Sequence, residues 1–573
     1  MLSFKTMNTR HIAAHESAST HQPGDVEPIA QGPGLTPCER LVALAGIFVL
    51  ALVAAVAIFK PWQTPAIGYD TASSVLYFDR LLAHLRLESY VGTTPKPAVT
   101  LIEGIGYNLT HDWHLVAYIA TVEFAAMVAA AAALAWRIIG PIAAGMAALG
   151  LLGSQWLLFD GNLSYAYPWV ILLWLLAGLA LTVRSPRYGL AGALLFVAAL
   201  IRLETFIVIG MAAATLALWR AIPPRQLVRA GLTSKRPPLR SLLLLSGLLA
   251  LPVMILHDWL LTGNGLYWLN VSASFSTKNS SAVASAATLT QDLAQRAGTW
   301  ELLLPALPAA IGGIYLLSKR QVALTVGLIA CGPGILAFIE FLAFRHTYIS
   351  YRYYIPVYAA LVFCAAVGAE ATVRAIASLA RGRGWTTRFG GHLGGESARN
   401  RRLRAVLAIA FGAALAVAFV RPYGPIDGQA ITRINRDQAL QANADRAMPA
   451  IDAALADLPA PGWATLNLDS TNVASAAVAP RLYVPSLLAP RMAVDLGWPV
   501  WAIGGDSPIA ADPADLTVPV ATIVYIDVNA GQGAAAHDRP LEVQETTHLG
   551  HVTITPLLVL PADGLWVLKL VPD

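Results

Sequence analysis

The chain has 573 residues, of which 56% are hydrophobic and only 13% are charged, and its mean hydropathy is +0.58. Soluble globular proteins carry roughly 25% charged residues. The composition therefore excludes an ordinary soluble domain and, with apolar runs of roughly 20 residues, predicts a polytopic α-helical membrane protein. The net charge of +5 does not indicate nucleic-acid binding, because the basic residues cluster in short loops between apolar runs. The three cysteines lack metal-ligand spacing, which predicts buried, inert thiols.

The N-terminal part of the chain sets the predicted orientation. Residues 1–40 are rich in Ser, Thr, Pro and Gly and lack periodicity, which predicts a disordered tail. A cleaved signal peptide would begin almost at the N-terminus, so Leu41–Phe59 is interpreted as an uncleaved first span. Because Arg40 precedes this span, we expect the tail in the cytoplasm and the loop Lys60–Pro97 outside.

Further apolar runs predict about eleven spans in all, with basic loops on the cytoplasmic side. They are Leu115–Trp136, Pro141–Phe159, Leu163–Val183, Gly189–Trp219, Ser241–Trp259, Leu302–Leu317, Val322–Phe344, Tyr353–Val373 and Ala405–Val420. Gly189–Trp219 is too long for one span, and we expect two short helices meeting around Arg202 and Glu204. Two interpretations of Ala98–Thr110 remain open: it forms either an amphipathic helix at the interface or a further span.

The composition changes at about residue 421, where charge and proline content rise and no run is long enough to span. Arg433–Leu458 has helical periodicity. Short β-like runs follow it, namely Trp463–Leu468, Ala521–Val528, Glu542–Thr547 and Leu565–Leu570. Residues 421–573 are therefore predicted to form an extracytoplasmic α/β domain, appended to a transmembrane domain of residues 41–420.

The predicted topology gathers acids and bases on the outer face, whereas the cytoplasmic loops offer mainly Arg and Lys. The outer groups include Tyr69, Asp70, Lys96, Asp160, Arg202, Glu204, Lys278, Arg345 and Arg352. Asp70 follows directly on the first span, where a carboxylate can meet both a lipid-borne molecule and water. An alternative role for Asp70 is the N-cap of a helix over Thr71–Arg86, and the two roles are compatible.

Two arginine sites stand out. Arg202 and Glu204 lie within an apolar run, where ionisable residues are functional candidates, although they could instead pair structurally at the helix break. Arg345 and Arg352 flank a tyrosine-rich stretch that is typical of a membrane interface. Arginine binds phosphate bidentately and is weakly hydrated, so these side chains suit the phosphate of a lipid.

Four short motifs follow one another along the chain: an acid in the first external loop, a Lys-Pro before an apolar segment, an Arg-x-Glu between two short helices, and an Arg-Tyr-x-x-Pro element. They are Asp70, Thr94–Ala98, Arg202–Glu204 and Arg352–Pro356. With them, residues 41–420 resemble the GT-C superfamily of polytopic membrane glycosyltransferases, which take sugars from polyprenyl-phosphate donors on the outer face of the membrane. Protein mannosyltransferases, aminoarabinose transferases and mycobacterial arabinofuranosyltransferases belong to it.

The resemblance implies roles for individual residues. Asp70 matches the catalytic acid of the first external loop, and Lys96, Arg202, Arg352 and Lys278 match groups near the donor phosphate. Tyr69, Glu204, Asp160 and Arg345 are supporting residues. Many relatives carry paired acids in the first loop, whereas here Tyr69 and Thr71 flank Asp70, so no catalytic metal and no cofactor are expected.

The implied function is transfer of a sugar to a cell-envelope glycan, lipid or protein at a bacterial cytoplasmic membrane, with inversion at the anomeric carbon. A lipid-linked-sugar transporter is the alternative from another class; it would place its polar groups near the midplane, on broken helices of two similar halves. A non-catalytic envelope-assembly protein is the third interpretation.

Overall fold

The computed structural model describes residues 37–84, 97–183, 185–222, 238–270, 300–318, 322–344, 351–379, 428–456, 458, 482–485, 488–498, 503–504, 521–527, 545–549, 551–560 and 565–573. The helices up to residue 221 are α1 Pro37–Phe59, α2 Tyr69–His84, α3 Pro97–Thr110, α4 Trp113–Ile138, α5 Pro141–Leu152, α6 Gln155–Asn162, α7 Ala166–Leu181, α8 Tyr188–Ile201 and α9 Thr205–Ala221. A 3-10 segment Leu239–Leu249 runs into α10 Ala250–Thr262.

Later helices are α11 Trp300–Ser318, α12 Val322–Ile329, a π turn Ala330–Gly334, α13 Ile335–Phe344, a 3-10 turn Tyr351–Tyr354, α14 Ile355–Leu379, α15 Gly428–Ala456 and α16 Ala489–Leu496. The strands are β1 Leu482–Tyr483, β2 Ile503–Gly504, β3 Thr522–Asp527, β4 Thr547–Leu549, β5 Val552–Leu560 and β6 Leu565–Pro572. The order of elements confirms a helical protein with a small sheet near its C-terminus.

Within the described ranges, five helical stretches are long and apolar enough to cross a membrane: Cys38–Phe59, Trp113–Ile138, Leu239–Leu260, Leu324–Leu342 and Arg352–Ala375. Shorter apolar helices accompany them, including α7, α8 and α9. The chain is therefore a polytopic α-helical membrane protein, as its composition predicts. The predicted last span, Ala405–Val420, lies outside the described residues, and the predicted total of about eleven spans stays a prediction.

The predicted span Pro141–Phe159 is interrupted in the structure, because the chain bends by 66° between α5 and α6. Gly153 ends α5, and the Ser154 hydroxyl accepts a hydrogen bond from the Leu157 amide at the start of α6. A glycine followed by a capping serine ends one helix and begins another. Asp160 consequently lies inside α6 and is fully buried, where the sequence predicts a small loop over Asp160–Asn162.

The expected break around Arg202 and Glu204 is confirmed, since α8 ends at Ile201 and α9 begins at Thr205. The open segment after Pro97 forms α3, which packs against α2. Its inward side buries Glu103 and Tyr107, whereas Leu101 and Leu109 on the other side are exposed. This two-sided pattern fits a helix lying at an interface.

Helices α11 and α14 approach each other closely through two glycines. A Cβ added at Gly312 would overlap the carbonyl oxygen of Cys364, and one added at Gly368 would overlap the carbonyl oxygen of Pro308. Small residues at such contacts let backbones of membrane helices pack directly on each other. The contact places α14, and with it Arg352 immediately before the helix, at a fixed position in the bundle.

We expect Gly312→Ala to destabilise the protein by about 1–3 kcal/mol, because the added methyl group pushes α11 away from α14. The neighbouring Gly313 has no atom within 4 Å of an added Cβ. Gly313→Ala is therefore the matched control, with the same helix-propensity gain and no collision. Thermal unfolding midpoints of the purified variants in detergent check this, and equal midpoints would contradict the packing argument.

The sheet has six strands in the order β2-β1-β3-β6-β5-β4. The pairs β1–β2 and β1–β3 are parallel, whereas β3–β6, β6–β5 and β5–β4 are antiparallel. In the antiparallel centre, Thr522 pairs with Leu570 and Asp527 with Leu565. The predicted strands Ala521–Val528 and Leu565–Leu570 are thus confirmed as β3 and β6.

Other strands of the C-terminal region differ from the prediction. The strand predicted at Glu542–Thr547 is displaced, because Glu545 and Thr546 are exposed and belong to no strand, and β4 is Thr547–Leu549. Residues 542–544 lie outside the described residues. The long strand β5 is absent from the prediction, since Pro556 in its middle masks the β pattern and coincides with a register irregularity. The run Trp463–Leu468 lies outside the described residues.

The C-terminal elements and the membrane-proximal helix α2 share one hydrophobic core. Leu76 of α2 is fully buried in a cluster with residues of α15, α16 and the sheet, including Ile451, Met492 and Val567. The predicted helix Arg433–Leu458 is confirmed as α15. Since α2 carries Asp70 in its first turn, the C-terminal region packs directly on the element that holds the candidate acid.

Candidate functional site

Asp70 lies in the first turn of α2, shortly after α1 ends at Phe59. The helix begins at Tyr69, and its first turn is closed by the Ala72 amide donating to the Gly68 carbonyl at 2.9 Å. The predicted N-cap role of Asp70 is therefore wrong: the residue stands inside the helix, where a carboxylate is favoured by the helix dipole. The predicted boundary at Thr71 shifts by two residues for the same reason.

The start of α2 is fixed to the connection between α6 and α7. The Thr71 hydroxyl lies 2.8 Å from the Leu163 carbonyl oxygen and 3.0 Å from that of Ser164. The Gly68 amide donates to the same Leu163 oxygen at 3.2 Å. A Cβ on Gly68 would overlap the ring of Tyr165, so only glycine fits there. These contacts bring Asp70 beside the residues that follow Asp160.

Arg352 joins the two acids. Its Nη1 lies 2.7 Å from Asp70 Oδ2, and its Nε lies 4.0 Å from Asp160 Oδ1. The guanidinium carbon sits 3.7 Å from the centre of the Tyr165 ring, a cation–π distance. Three residues that the sequence singled out separately, Asp70, Asp160 and Arg352, thus meet at one place.

The cluster is only partly enclosed. The side chains of Arg352 and Asp70 retain 23% and 18% of their exposure, whereas that of Asp160 is fully buried. Arg352 therefore lies between a partly accessible carboxylate, Asp70, and a fully buried one, Asp160. Next to it, burial raises the pKa of the Tyr69 phenol, and the charge of Asp70 adds to this effect. Tyr69 therefore stays a neutral hydrogen-bonding group at physiological pH.

Arg202 and Glu204 form a second, more enclosed cluster at the break between α8 and α9. Arg202 Nη2 lies 2.6 Å from Glu204 Oε1, and its Nε donates to Glu204 Oε2 at 3.2 Å. The Tyr167 hydroxyl donates to Glu204 at 2.9 Å and accepts from Arg202 at 2.7 Å. The Arg202 guanidinium also lies 5.4 Å from the ring centre of Tyr353, the residue after Arg352. The two clusters are therefore neighbours.

Substitution of Arg202 alone, and of Arg202 together with Glu204, measures how far the ion pair between them stabilises the protein. We expect Arg202→Met alone to destabilise the protein by about 3–5 kcal/mol, because it leaves Glu204 buried without its cation. The double variant Arg202→Met/Glu204→Gln should recover most of that loss. Thermal unfolding of single and double variants measures this. A double variant as unstable as the single one would contradict the pairing argument.

Several predicted site residues cannot be placed. Lys96, Lys278 and Arg345 lie outside the described residues. In the part of the chain that the structure describes, no group of three or more His, Cys, Asp or Glu side chains could hold a metal ion. The described cysteines, Cys38, Cys331 and Cys364, are free thiols, and the predicted burial is wrong for Cys38, which is exposed.

Sequence inspection missed residues that complete the clusters. Tyr165 under Arg352 and Tyr167 beside Glu204 both come from the start of α7, and Thr71 ties α2 to the same connection. Their sequence context is that of ordinary interface tyrosines and a helix-start threonine. The structure also places Ser164 in the left-handed region, with a φ of 58° that is uncommon for a residue other than glycine, and the sequence does not indicate this turn.

No protein-family model and no curated protein matches the chain. Among solved structures, the archaeal oligosaccharyltransferase AglB from Archaeoglobus fulgidus, in complex with an inhibitory peptide and a dolichol-phosphate, is 12% identical with a TM-score of 0.45, covering 87% of this chain and 70% of that chain. ArnT from Cupriavidus metallidurans in the apo state is 14% identical with a TM-score of 0.43, covering 92% and 98%.

A second structure of the Archaeoglobus fulgidus oligosaccharyltransferase, a complex with Zn and sulfate, is 12% identical with a TM-score of 0.45 and covers 85% of this chain and 68% of that chain.

Proposed function

We propose that the chain is an integral-membrane glycosyltransferase that moves a sugar from a polyprenyl-phosphate-linked donor to a cell-envelope glycan, lipid or protein, with Asp70 as general base. The observation that carries the proposal is the contact of Arg352 with Asp70 at 2.7 Å, beside the buried Asp160. It combines, near the end of a membrane helix, a cation suited to phosphate and a carboxylate suited to accept a proton.

Arg352 is the proposed phosphate-binding group. Its guanidinium is weakly hydrated and presents several N–H donors in one plane, which matches the oxygens of a phosphate. Tyr165 supports one face of this plane, and the two carboxylates hold its edge. An arriving phosphate competes with Asp70 for the same donors. Arg202, Lys96 and Lys278 are proposed as further donor-phosphate contacts, supported by Glu204 and Arg345.

Asp70 acts as the base after Arg352 has changed its partner from Asp70 to the donor phosphate. A neighbouring cation stabilises an ionised carboxylate, so Asp70 becomes a better proton acceptor once Arg352 turns to phosphate. The acceptor hydroxyl then loses its proton to Asp70 while its oxygen attacks the anomeric carbon. The bond from that carbon to the phosphate oxygen breaks, and the polyprenyl phosphate leaves with the bond electrons, its charge stabilised by Arg352. Attack opposite the leaving group inverts the anomeric centre.

We place this site on the outer face of a bacterial cytoplasmic membrane, and residues 421–573 with it. Support comes from the basic short loops, which the positive-inside rule assigns to the cytoplasm. Contacts between α2 and the C-terminal elements keep these two parts on the same side of the membrane. The reaction as proposed needs no metal ion, so transfer should persist in the presence of EDTA.

A transporter of lipid-linked sugars is the second candidate. Its support is the pair of discontinuous elements, the 66° bend between α5 and α6 and the charged break between α8 and α9, because broken helices line many transport pathways. Against it, the charges at the second break satisfy each other through the Arg202–Glu204 pair.

Transfer of radiolabelled sugar from native membrane lipids to an endogenous acceptor tests the proposal directly. Membranes that contain the wild-type chain should incorporate label above membranes lacking it. Accumulation of labelled donor on the opposite leaflet, without transfer, would support the transporter instead. Absence of both activities with every native lipid fraction would contradict both candidates.

A further inference from the structure

The segment between α1 and Asp70 is held by the C-terminal helix α15. The Gln438 side-chain amide donates to the carbonyl of Phe59 at 2.6 Å, and that of Gln441 donates to the carbonyl of Ile67 at 3.2 Å. Phe59 ends α1, and Ile67 stands three positions before Asp70. Both ends of the segment that leads to the acid are thus fixed by residues more than 350 positions later in the chain.

Gln441 is itself fixed from the opposite side. It is 3% exposed, and its side-chain oxygen accepts a hydrogen bond from Arg491 of α16. Arg491 also pairs with Asp445 of α15 and lies 3.4 Å from Asp495 of its own helix. A buried amide whose donor and acceptor are both engaged has one preferred orientation, so Gln441 can act as a rigid contact.

The same network reaches the membrane helices. Asp495 accepts a hydrogen bond from the Trp113 indole at the start of α4, at 2.9 Å. Arg80, later in α2, donates to the carbonyls of Ala493 and Trp498 at 3.0 and 3.1 Å. In addition, α15 packs against α6, which carries Asp160. The C-terminal elements therefore contact the supports of both acids beside Arg352.

We propose that Gln441 is a positioning residue, which sets the place of Asp70 relative to Arg352 by holding the Ile67 carbonyl. The C-terminal region then takes part in building the reaction site. This inference rests on the proposed function for its catalytic consequence. The mechanical part, a clamp on the Ile67–Asp70 backbone, is measurable without any substrate.

Gln441→Glu is the sharpest variant. Its carboxylate still accepts from Arg491, and more strongly than an amide does, so the buried network keeps its partner. Towards Ile67, however, the N–H donor is replaced by an oxygen, and two acceptors face each other. Arg436→Gln is the matched control, because Arg436 lies on the exposed side of the same helix, with 47% of its side chain accessible.

Two measurements on the full-length protein in nanodiscs decide the matter. Hydrogen–deuterium exchange should become about tenfold faster for the amides of Ile67–Ala72 in Gln441→Glu and stay unchanged in Arg436→Gln. The plateau rate of sugar transfer with native lipid extract should fall about 10–100-fold, because a small misplacement of a reacting group costs this much. The extract concentration giving half that rate should change less than twofold, since Arg352 is intact.

Unchanged exchange in Gln441→Glu would overturn the clamp. Faster exchange with an unchanged plateau rate would overturn the positioning role, because the acid would then be placed by other contacts. An inactive wild-type chain would overturn the proposed function and the catalytic part of this inference together, whereas the exchange result would still show whether Gln441 holds the segment.

Discussion

Asp70→Asn should lower sugar transfer by about 10²–10⁴-fold, the usual contribution of a general base. Asparagine has nearly the same shape and can still accept a hydrogen bond from Arg352, but it cannot take a proton at physiological pH. Binding of the donor should survive, because Arg352 no longer has a competing carboxylate at 2.7 Å. The measurement is transfer of labelled sugar from native membrane lipids, at matched expression, with donor retention measured on the same membranes.

The control for this substitution is Asp112→Asn. Asp112 is also an acid at the start of a helix, and it caps α4 by accepting from the His114 amide at 2.8 Å. Asparagine caps helices as well as aspartate does, so transfer should stay at the wild-type rate. Full activity of Asp70→Asn would contradict the base assignment, and Asp160→Asn would then be the next variant to measure.

Arg352→Gln should lower transfer by about 10²–10³-fold, the cost of removing one donor that stabilises a developing oxyanion. Arg352→Lys should recover only part of it, because an ammonium group keeps the charge but not the planar, bidentate geometry or the stacking on Tyr165. Initial rates over a range of donor extract separate the two effects. Weaker donor binding in both variants, and a lower plateau mainly in Arg352→Gln, are the expected pattern.

Stability must be followed beside activity for this residue. Arg352→Gln removes the guanidinium that lies 4.0 Å from the fully buried Asp160, so a lost rate includes any contribution from unfolding. The double variant Asp70→Asn/Arg352→Gln tests whether the two groups act as one unit, because such groups give strongly non-additive losses. Strictly multiplicative losses in a well-folded double variant would contradict a shared role.

Local sequence rules predict much of the helical part. Hydrophobic run lengths give the positions of α1, α4 and the two halves around Arg202, because the requirement to bury backbone hydrogen bonds in a membrane leaves few alternatives. The 66° bend before Asp160 was not predicted from the sequence, because it depends on two small residues within an otherwise uninterrupted apolar run. Composition alone does not distinguish a bent helix from a straight one.

The candidate site was predictable by residue type but not by geometry. Arg202 was indicated by its charge within an apolar run, where an unpaired charge is costly. Asp70 was indicated by its place directly after the first span, and Arg352 by the tyrosine-rich stretch beside it. Which acid pairs with which arginine depends on contacts across 282 positions of sequence, as between Arg352 and Asp70. Nothing in the local pattern of Gln441 indicates its contact with Ile67, because a single buried amide has no periodic or compositional signature.

The sharing of one guanidinium by two carboxylates has a consequence for product release. Under the proposed reaction, the donor is a phosphodiester with one negative charge, whereas the departing polyprenyl phosphate carries two at high pH. Asp70 takes up one proton in the same step, so the total charge among Asp70, Asp160, Arg352 and the phosphate does not change during transfer. An additional negative charge therefore appears at the site only when Asp70 loses its proton. The returning carboxylate then repels the bound phosphate and reclaims Arg352, which couples proton release to the departure of the lipid.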